Sequence, residues 1–172
     1  MSATRTMGVS VTDVHTASDG AQLPLGFIYR EPADATNNYG ERHWIYVYND
    51  EASDNFVQGQ IVMRDDGTTT YDAVLTPAGG LRSSRRVIGV AQHTIAFGSY
   101  GFVLRQGLGE VMAGAGAVIG TNTALTSGGT TTAGTALDFA AGTTAPDCVI
   151  AFSTEASTGT SGLATCMINC LG

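Results

Sequence analysis

The sequence predicts an all-β fold: a single-domain β-sandwich or small barrel of short strands, with an extended N-terminal arm. Roughly ten short runs of β-branched, aromatic and other apolar residues recur at spacings of about 8 to 15 residues. Turn-forming residues separate these runs, and 23 of the 172 residues are glycine. No window of about 12 or more residues shows the capped 3.6-residue apolar period of a helix. Many short strands without helices are typical of sandwiches and barrels.

The domain organisation follows from length and periodicity. A chain of 172 residues has the size of one domain. Residues 1–22 lack strong periodicity and are predicted to form the extended arm. The alternation of Val9 and Val11 in this arm favours a strand added to a sheet edge of this chain or of a partner. Residues 23–172 are predicted to form a single β domain.

The first half of the domain contains the strongest strand signal, which is the aromatic and β-branched run at residues 43–49. Trp44, Tyr46 and Tyr48 share one face of this strand, and its two aliphatic residues share the other. A loop precedes it at residues 31–41. Further strands are predicted at residues 23–30, at residues 56–64 with a bulge at Gly59, and at residues 71–75.

A β-hairpin is predicted between residues 87 and 107. Its first half is a short apolar run, and a glycine permits the reversal. A period of two then runs through Tyr100, Phe102 and Leu104, which we expect to point inward as scaffold. Gly107 and Gly109 are expected to let the chain turn again. Nothing in this hairpin is typical of a catalytic or ligand-binding motif.

The second half of the domain is rich in Ala, Gly and Thr. Strands are predicted at residues 135–141, 148–153 and 163–171, with an exposed loop at residues 127–134. Asp138 has to face outward from its strand.

The three cysteines are Cys148, Cys166 and Cys170. An odd number in a chain with no predicted signal peptide argues against a disulfide framework. Cys166 and Cys170 lie four residues apart on one predicted strand, so their Cα atoms are about 13 Å apart, too far for a bridge. Both are predicted to be small buried hydrophobic residues. A contact between Cys148 and either of them stays open.

Charge is scarce and acidic. Charged residues make up 13% of the chain, about half the usual share, and the net charge is −7. The eight positive residues are all arginines and are scattered apart from one cluster, so the basic stripe that binds nucleic acid is missing, and no nucleic-acid partner is expected. Arg82, Arg85 and Arg86 form the one cluster, predicted to pair with acidic groups of this chain or of a neighbour at an interface. Low charge is expected of a surface covered by other subunits, or of a β-rich protein with long polar turns.

Neither a signal peptide nor a membrane span of about 20 apolar residues is predicted, so we expect synthesis in the cytoplasm and no membrane partner. The sequence also predicts no enzyme, no cofactor and no metal site. His15, His43 and His93 are isolated and lack metal-ligand spacing. Cys148, which follows Asp147, has no nucleophile elbow or oxyanion signature around it.

The residues of the hairpin resemble those of the head decoration, or cement, proteins of tailed bacteriophages. The pattern is Gly89-Val90-Ala91-Gln92, then Ile95-Ala96 and Gly98, then Tyr100-Gly101-Phe102-Val103, then Gly107 and Val111. The resemblance extends over residues 42–172 and leaves out the arm. It implies a β-rich protein without a cofactor that binds the outer surface of the capsid, as a homotrimer at local threefold positions.

The function predicted from this resemblance is structural. We expect a virion protein on the capsid surface that stabilises the capsid by binding the lattice of the major capsid protein. The arm is the predicted docking element, with Thr4, Arg5, Val9 and Val11 as its docking residues. A trimer that engages several capsid subunits at once needs only modest contacts from each copy.

Three functions other than capsid decoration are compared with the sequence. Another phage structural module, such as a head fibre, tail or receptor-binding component, stays open. A major capsid protein is excluded by size and by the missing long helix. A small hydrolase would require Cys148 to act as a nucleophile, and activity lost on Cys148→Ala would be its signature.

Overall fold

The computed structural model describes residues 8–33, 39–65, 71–77, 86–127, 132–139 and 149–170. Their regular structure is almost entirely β, which confirms the predicted all-β class. The strands are β1 (His15–Thr16), β2 (Ile28–Glu31), β3 (Arg42–Asn49), β4 (Ile61–Arg64), β5 (Asp72–Leu75), β6 (Val87–Val90), β7 (Ser99–Met112), β8 (Ala124–Ser127), β9 (Ala136–Asp138), β10 (Ala151–Ser153) and β11 (Leu163–Asn169). In the described part of the chain, the helical element is one 3₁₀ turn at Ala17–Asp19.

Five of these strands close into a small barrel. Strand β3 pairs with β5 in parallel and with β7 antiparallel, and the antiparallel pairs β5–β4, β4–β6 and β6–β7 complete the circle. Closure removes the unpaired edges that an open sheet of this size would carry. Of the two architectures predicted, the barrel is therefore the one observed.

The barrel interior is filled by apolar side chains. They come from all five strands and from the segments that flank them, and include Ile45, Val47, Phe56, Val62, Ala73, Leu75, Ile88, Ile95 and Val103. Trp44 and Tyr46 point the other way from β3, into a second cluster that also contains Val9 and Leu23. Both faces of β3 are buried for this reason, which explains its nearly uninterrupted apolar sequence.

Strand β7 belongs to two sheets. Its first half pairs with β3 as far as Gln106, with a register shift between His43 and Trp44, and its second half pairs with β11 from Gln106 to Met112. The turn predicted at Gly107 and Gly109 is wrong, because the strand continues through both. Gly107 has φ +117°, and a Cβ there would lie 2.9 Å from the carbonyl oxygen of Glu41. The glycine therefore permits a close approach to the start of β3 rather than a turn.

The second sheet runs β7–β11–β10–β8–β9 and curls round on itself. Ala136 of β9 forms a parallel bridge with Ala113, and its carbonyl accepts a 2.8 Å hydrogen bond from the amide of Gly114. The last strand thereby returns to the end of β7. Small inward residues such as Ala151, Ala164 and Cys166 leave room for this tight curvature.

Two predicted strands are shorter than expected. In residues 23–30 the amide of Phe27 donates to the carbonyl of Pro24, so a turn precedes β2. In residues 56–64 the amide of Gln60 donates to the carbonyl of Val57, and Gly59 adopts φ +85°. Gly59 therefore lies in a turn rather than in a bulge, and β4 begins only after it.

The described part of the N-terminal segment lies on the domain. Strand β1 pairs with the start of β7, joining His15 to Tyr100 and Thr16 to Ser99. Val9 is buried, and Val11 packs half-buried against the same cluster. Residues 8–22 thus contribute side chains to the core of this chain.

Candidate interaction surfaces

The residues that carry the decoration-protein resemblance have packing roles. The side chain of Gln92 donates from Nε2 to the carbonyl of Glu110 at 2.9 Å, and its Oε1 accepts from the Glu110 amide at 2.8 Å. A Cβ on Gly89 would lie 2.9 Å from the carbonyl oxygen of Leu104, so β6 and β7 approach closely there. Strand β7 is the wall shared by the two sheets, and β6 packs against it on the barrel side.

The aromatic positions of β7 are not equally buried. Phe102 and Leu104 are fully buried, as predicted. Tyr100 is only half-buried, with its ring centroid 4.9 Å from that of Tyr48 and 6.2 Å from that of Tyr46. It lies at the margin of the core, next to β1.

An apolar row crosses the outer face of the second sheet. The register places Leu108 opposite Met167, Met167 opposite Phe152, and Phe152 opposite Ala124. Cross-strand partners point to the same side of a sheet, so these side chains are neighbours. Phe152 is 54% exposed and Met167 is 47% exposed. We call Leu108, Met167, Phe152 and Ala124 the apolar row.

Polar residues border the apolar row on both sides. Asn169 and Gln106 pair on one side, and both are exposed. On the other side Thr165 pairs with Glu110, and its hydroxyl lies 3.2 Å from a carboxylate oxygen of Glu110 and 3.2 Å from one of Glu155. We call Glu110, Thr165 and Glu155 the acidic rim. An apolar strip with a polar border is typical of a protein-binding surface.

Cys166 lies directly behind the acidic rim, with its side chain in the core. Burial, together with a smaller effect of the nearby carboxylate of Glu110, raises the pKa of its thiol to about 12. The thiol therefore stays protonated and unreactive at neutral pH. Cys166 and Cys170 are both buried, as predicted.

A buried ion pair lies at the start of β3, next to Gly107 of β7. Glu31 is 7% exposed and accepts from Nε of Arg42 at 2.8 Å, from its Nη2 at 3.0 Å and from Nε1 of Trp44 at 2.8 Å. The guanidinium carbon lies 4.8 Å from the ring centroid of Tyr39 and 5.1 Å from that of Trp44. This arrangement joins β2 to β3 and has no groups left over for catalysis.

The predicted docking and interface residues are only partly described. Thr4 and Arg5 lie outside the described residues, while Val9 and Val11 contact the core of this chain. The docking role of the arm stays a prediction. Arg82 and Arg85 also lie outside the described residues. Arg86 is half-buried immediately before β6.

The residues weighed for enzymatic chemistry do not form a site within the described part of the chain. Cys148 and Asp147 lie outside it. His43 lies on the surface, with its Nε2 2.6 Å from Glu41. His93 is largely buried, which lowers its pKa, and Asp13 opposes this shift. No three His, Cys, Asp or Glu residues among those described are grouped to hold a metal ion.

Among the described residues, none of the helical structure has the length and apolar character needed to cross a bilayer.

Comparisons with known proteins assign no family to this chain. No protein-family model matches the chain, and no curated protein matches it. Among solved structures, it is similar to the crystal structure of the N base of the head fiber gp8.5 of bacteriophage phi29. The TM-score is 0.47 and the identity 19%, over 73% of this chain and 92% of that chain.

Proposed function

We propose that this chain is a structural phage protein that decorates and stabilises the capsid by binding the outer surface of the major capsid protein lattice. Its role is non-enzymatic and requires no cofactor. In the proposed assembly the chain is a homotrimer on the surface of the virion, and the capsid protein is its principal partner.

The observation that carries this proposal is the fit between the decoration-protein pattern and the wall shared by the two sheets. Gly89 permits the close approach of β6 to β7, and Gln92 bridges to the second half of β7 through two hydrogen bonds. Gly107 admits the start of β3. Most residues of the pattern are buried or lie where two strands approach closely, with Ala96 as an exposed exception, and packing roles of this kind are what a shared scaffold requires. This supports the resemblance from which the function is inferred.

Binding to heads tests the proposal directly. Empty heads assembled from the major capsid protein encoded in the same genome are mixed with the purified chain and sedimented. We expect saturable co-sedimentation and a higher melting temperature of the loaded heads. Heads that leave the chain in the supernatant at every concentration would overturn the proposal.

The stoichiometry at saturation separates decoration from the alternative of a head fibre or tail component. A decoration protein occupies equivalent positions over the whole lattice, so hundreds of copies per head are expected. A fibre or tail component occupies a few symmetry positions only. Quantitative gel analysis of loaded heads distinguishes the two, and a few copies per head would favour the alternative.

The trimer is tested separately. Analytical ultracentrifugation is expected to give the mass of three copies, at 17.7 kDa per subunit. The measurement is made on the purified chain alone and on the chain released from loaded heads by detergent. The mass of a monomer in both samples would contradict the trimer. It would not contradict binding to the lattice, which the co-sedimentation experiment decides.

A further inference from the structure

We propose that the apolar row and the acidic rim form the surface with which this chain contacts the capsid protein. The capsid segment under it then presents apolar side chains with an Arg or Lys at one edge. This inference rests on the proposed function and adds to it the contact face and the chemistry of the partner.

The apolar row differs from the other exposed apolar residues of the described chain. Phe97 and Val118 are also more than half exposed, but each lies outside the strands, and Ile28, 45% exposed on β2, pairs with the buried Ile45. Phe152 and Met167 are instead adjacent in register and continue into Leu108 and Ala124. Four strands spaced by about 4.8 Å give a contiguous strip roughly 14 Å across. Single exposed apolar residues need no explanation, whereas a contiguous strip marks an interaction surface.

The inward side chains of β10 and β11 also support an interaction surface on the outer face. On β10 and β11 the buried residues are small (Ala151, Ser153, Ala164 and Cys166), with Ile168 as the large exception. The largest side chain of β10, Phe152, points to solvent, and so does Met167 of β11. A strand that folded only to fill its own core would place its large apolar residues inside. The reversed pattern is expected where the outer face is covered by a partner.

The acidic rim favours a basic partner over a second copy of the chain. Glu110 and Glu155 both lie next to the hydroxyl of Thr165, which has one proton to donate. Within the described residues neither carboxylate forms an ion pair with an arginine. A guanidinium or ammonium group from a partner would bind between the two carboxylates. A second copy would bring a net charge of −7 against the same charge.

The size of the surface agrees with a partner that is present in many copies. The apolar row is smaller than the roughly 800 Å² per partner of a standard interface. A single copy is therefore expected to bind weakly, and several linked copies on one lattice to bind firmly.

The first experiment compares two phenylalanines of equal exposure. Phe152→Ser removes the centre of the apolar row, and Phe97→Ser is the matched control, since the two residues are 54% and 53% exposed. Binding to the assembled heads is measured by co-sedimentation over a range of chain concentrations. We expect Phe152→Ser to weaken binding about tenfold and Phe97→Ser less than twofold. Met167→Ser replaces Phe152→Ser if circular dichroism shows that the latter is unfolded.

The second experiment tests the rim. Binding of the wild-type chain is expected to weaken as NaCl is raised, because the rim attracts a cation. The double variant Glu110→Gln/Glu155→Gln is expected to bind several-fold more weakly at low salt and to lose most of this dependence. The control Asp54→Asn/Asp138→Asn changes the net charge equally at two other exposed carboxylates and should behave as wild type.

The outcomes separate this inference from the proposed function. Heads that bind no wild-type chain overturn the function itself. Wild-type binding that Phe152→Ser and Phe97→Ser weaken equally leaves the function standing and overturns the contact face. A further outcome is that Phe152→Ser binds heads as wild type does and shows a smaller mass in ultracentrifugation. This result identifies the apolar row as a contact between copies, and it also overturns the inference. A salt dependence equal in the rim variant and wild type overturns the basic partner.

Discussion

The two sheets of this molecule use their apolar residues in opposite ways. In the five-stranded barrel the large side chains point inward or are covered, and Phe56, Ile88 and Val103 are at most 1% exposed. In the second sheet the inward residues of β10 and β11 are small apart from Ile168, while Phe152 and Met167 lie outside. Both sheets share β7, and its second half follows the pattern of the second sheet, with Gly107 and Gly109 buried and Leu108 half-buried opposite Met167. The barrel is built for stability, and the second sheet leaves apolar surface for a partner.

Two phenylalanines give the most direct test of the contrast between the barrel and the second sheet. Phe56→Ala in the barrel leaves a cavity and is expected to lower the free energy of unfolding by about 4 kcal/mol. Phe152→Ala on the outer face is expected to change it by less than about 0.5 kcal/mol. Urea unfolding of both variants measures the difference. Equal losses would show that Phe152 packs as core and would remove the contrast.

The ion pair between β2 and β3 tests whether the barrel end depends on a buried charge. Glu31→Gln leaves the Arg42 guanidinium, whose side chain is 15% exposed, without its carboxylate. The expected loss is about 3 kcal/mol, the usual cost of breaking one side of a buried pair. Glu41→Gln removes the exposed partner of His43 and should leave the melting temperature unchanged. Similar shifts in both variants would mean that burial of the pair contributes nothing.

Tyr100 lies where the barrel meets the N-terminal segment. Since it is half-buried, Tyr100→Ala is expected to cost about 2 kcal/mol, less than the ~3 kcal/mol typical of a fully buried aromatic residue. Phe102→Ala, two residues on and buried, serves as the reference and should cost more. Thermal unfolding of the two variants ranks them, and the reverse order would contradict the described burial.

The smallest expected effect is a pH dependence from His93. Burial lowers its pKa in the folded chain below the ordinary value of 6.5, with Asp13 opposing the shift. Its Nε2 has no hydrogen-bond partner among the described residues. The unfolded chain therefore takes up the proton first, and stability falls as the pH drops through 6.5. Melting temperatures between pH 7.5 and 5 should fall less steeply for His93→Gln than for wild type, and parallel curves would rule out this histidine.

Local patterns in the sequence predicted the strands whose signal is complete within a few residues. The aromatic and β-branched run at residues 43–49 became β3 (Arg42–Asn49), and the predicted strand at residues 71–75 became β5 (Asp72–Leu75). Asp138 is exposed, as its position in an apolar strand required. In each case side-chain period or composition alone was sufficient.

Features that depend on pairing between distant residues were not predictable in this way. Gly107 has the composition of a turn, and only the approach of Glu41, 66 residues earlier, makes it part of a strand. The apolar row was missed for the same reason. Leu108, Phe152 and Met167 are single apolar residues in three separate strands, and only the register makes them neighbours. Their alternation with buried residues was the one local signal.

The sharing of β7 between two sheets also has a consequence for the order of folding during synthesis. All strands of the barrel are available once Met112 has emerged, so the barrel can close at that point. The second half of β7 must then wait for β11, which begins at Leu163. Until the ribosome has added residues 113–163, which number 51, the hydrogen-bonding groups of this half-strand lack their final partner. A nascent chain stalled in this interval carries an open strand edge and is the species most prone to aggregate.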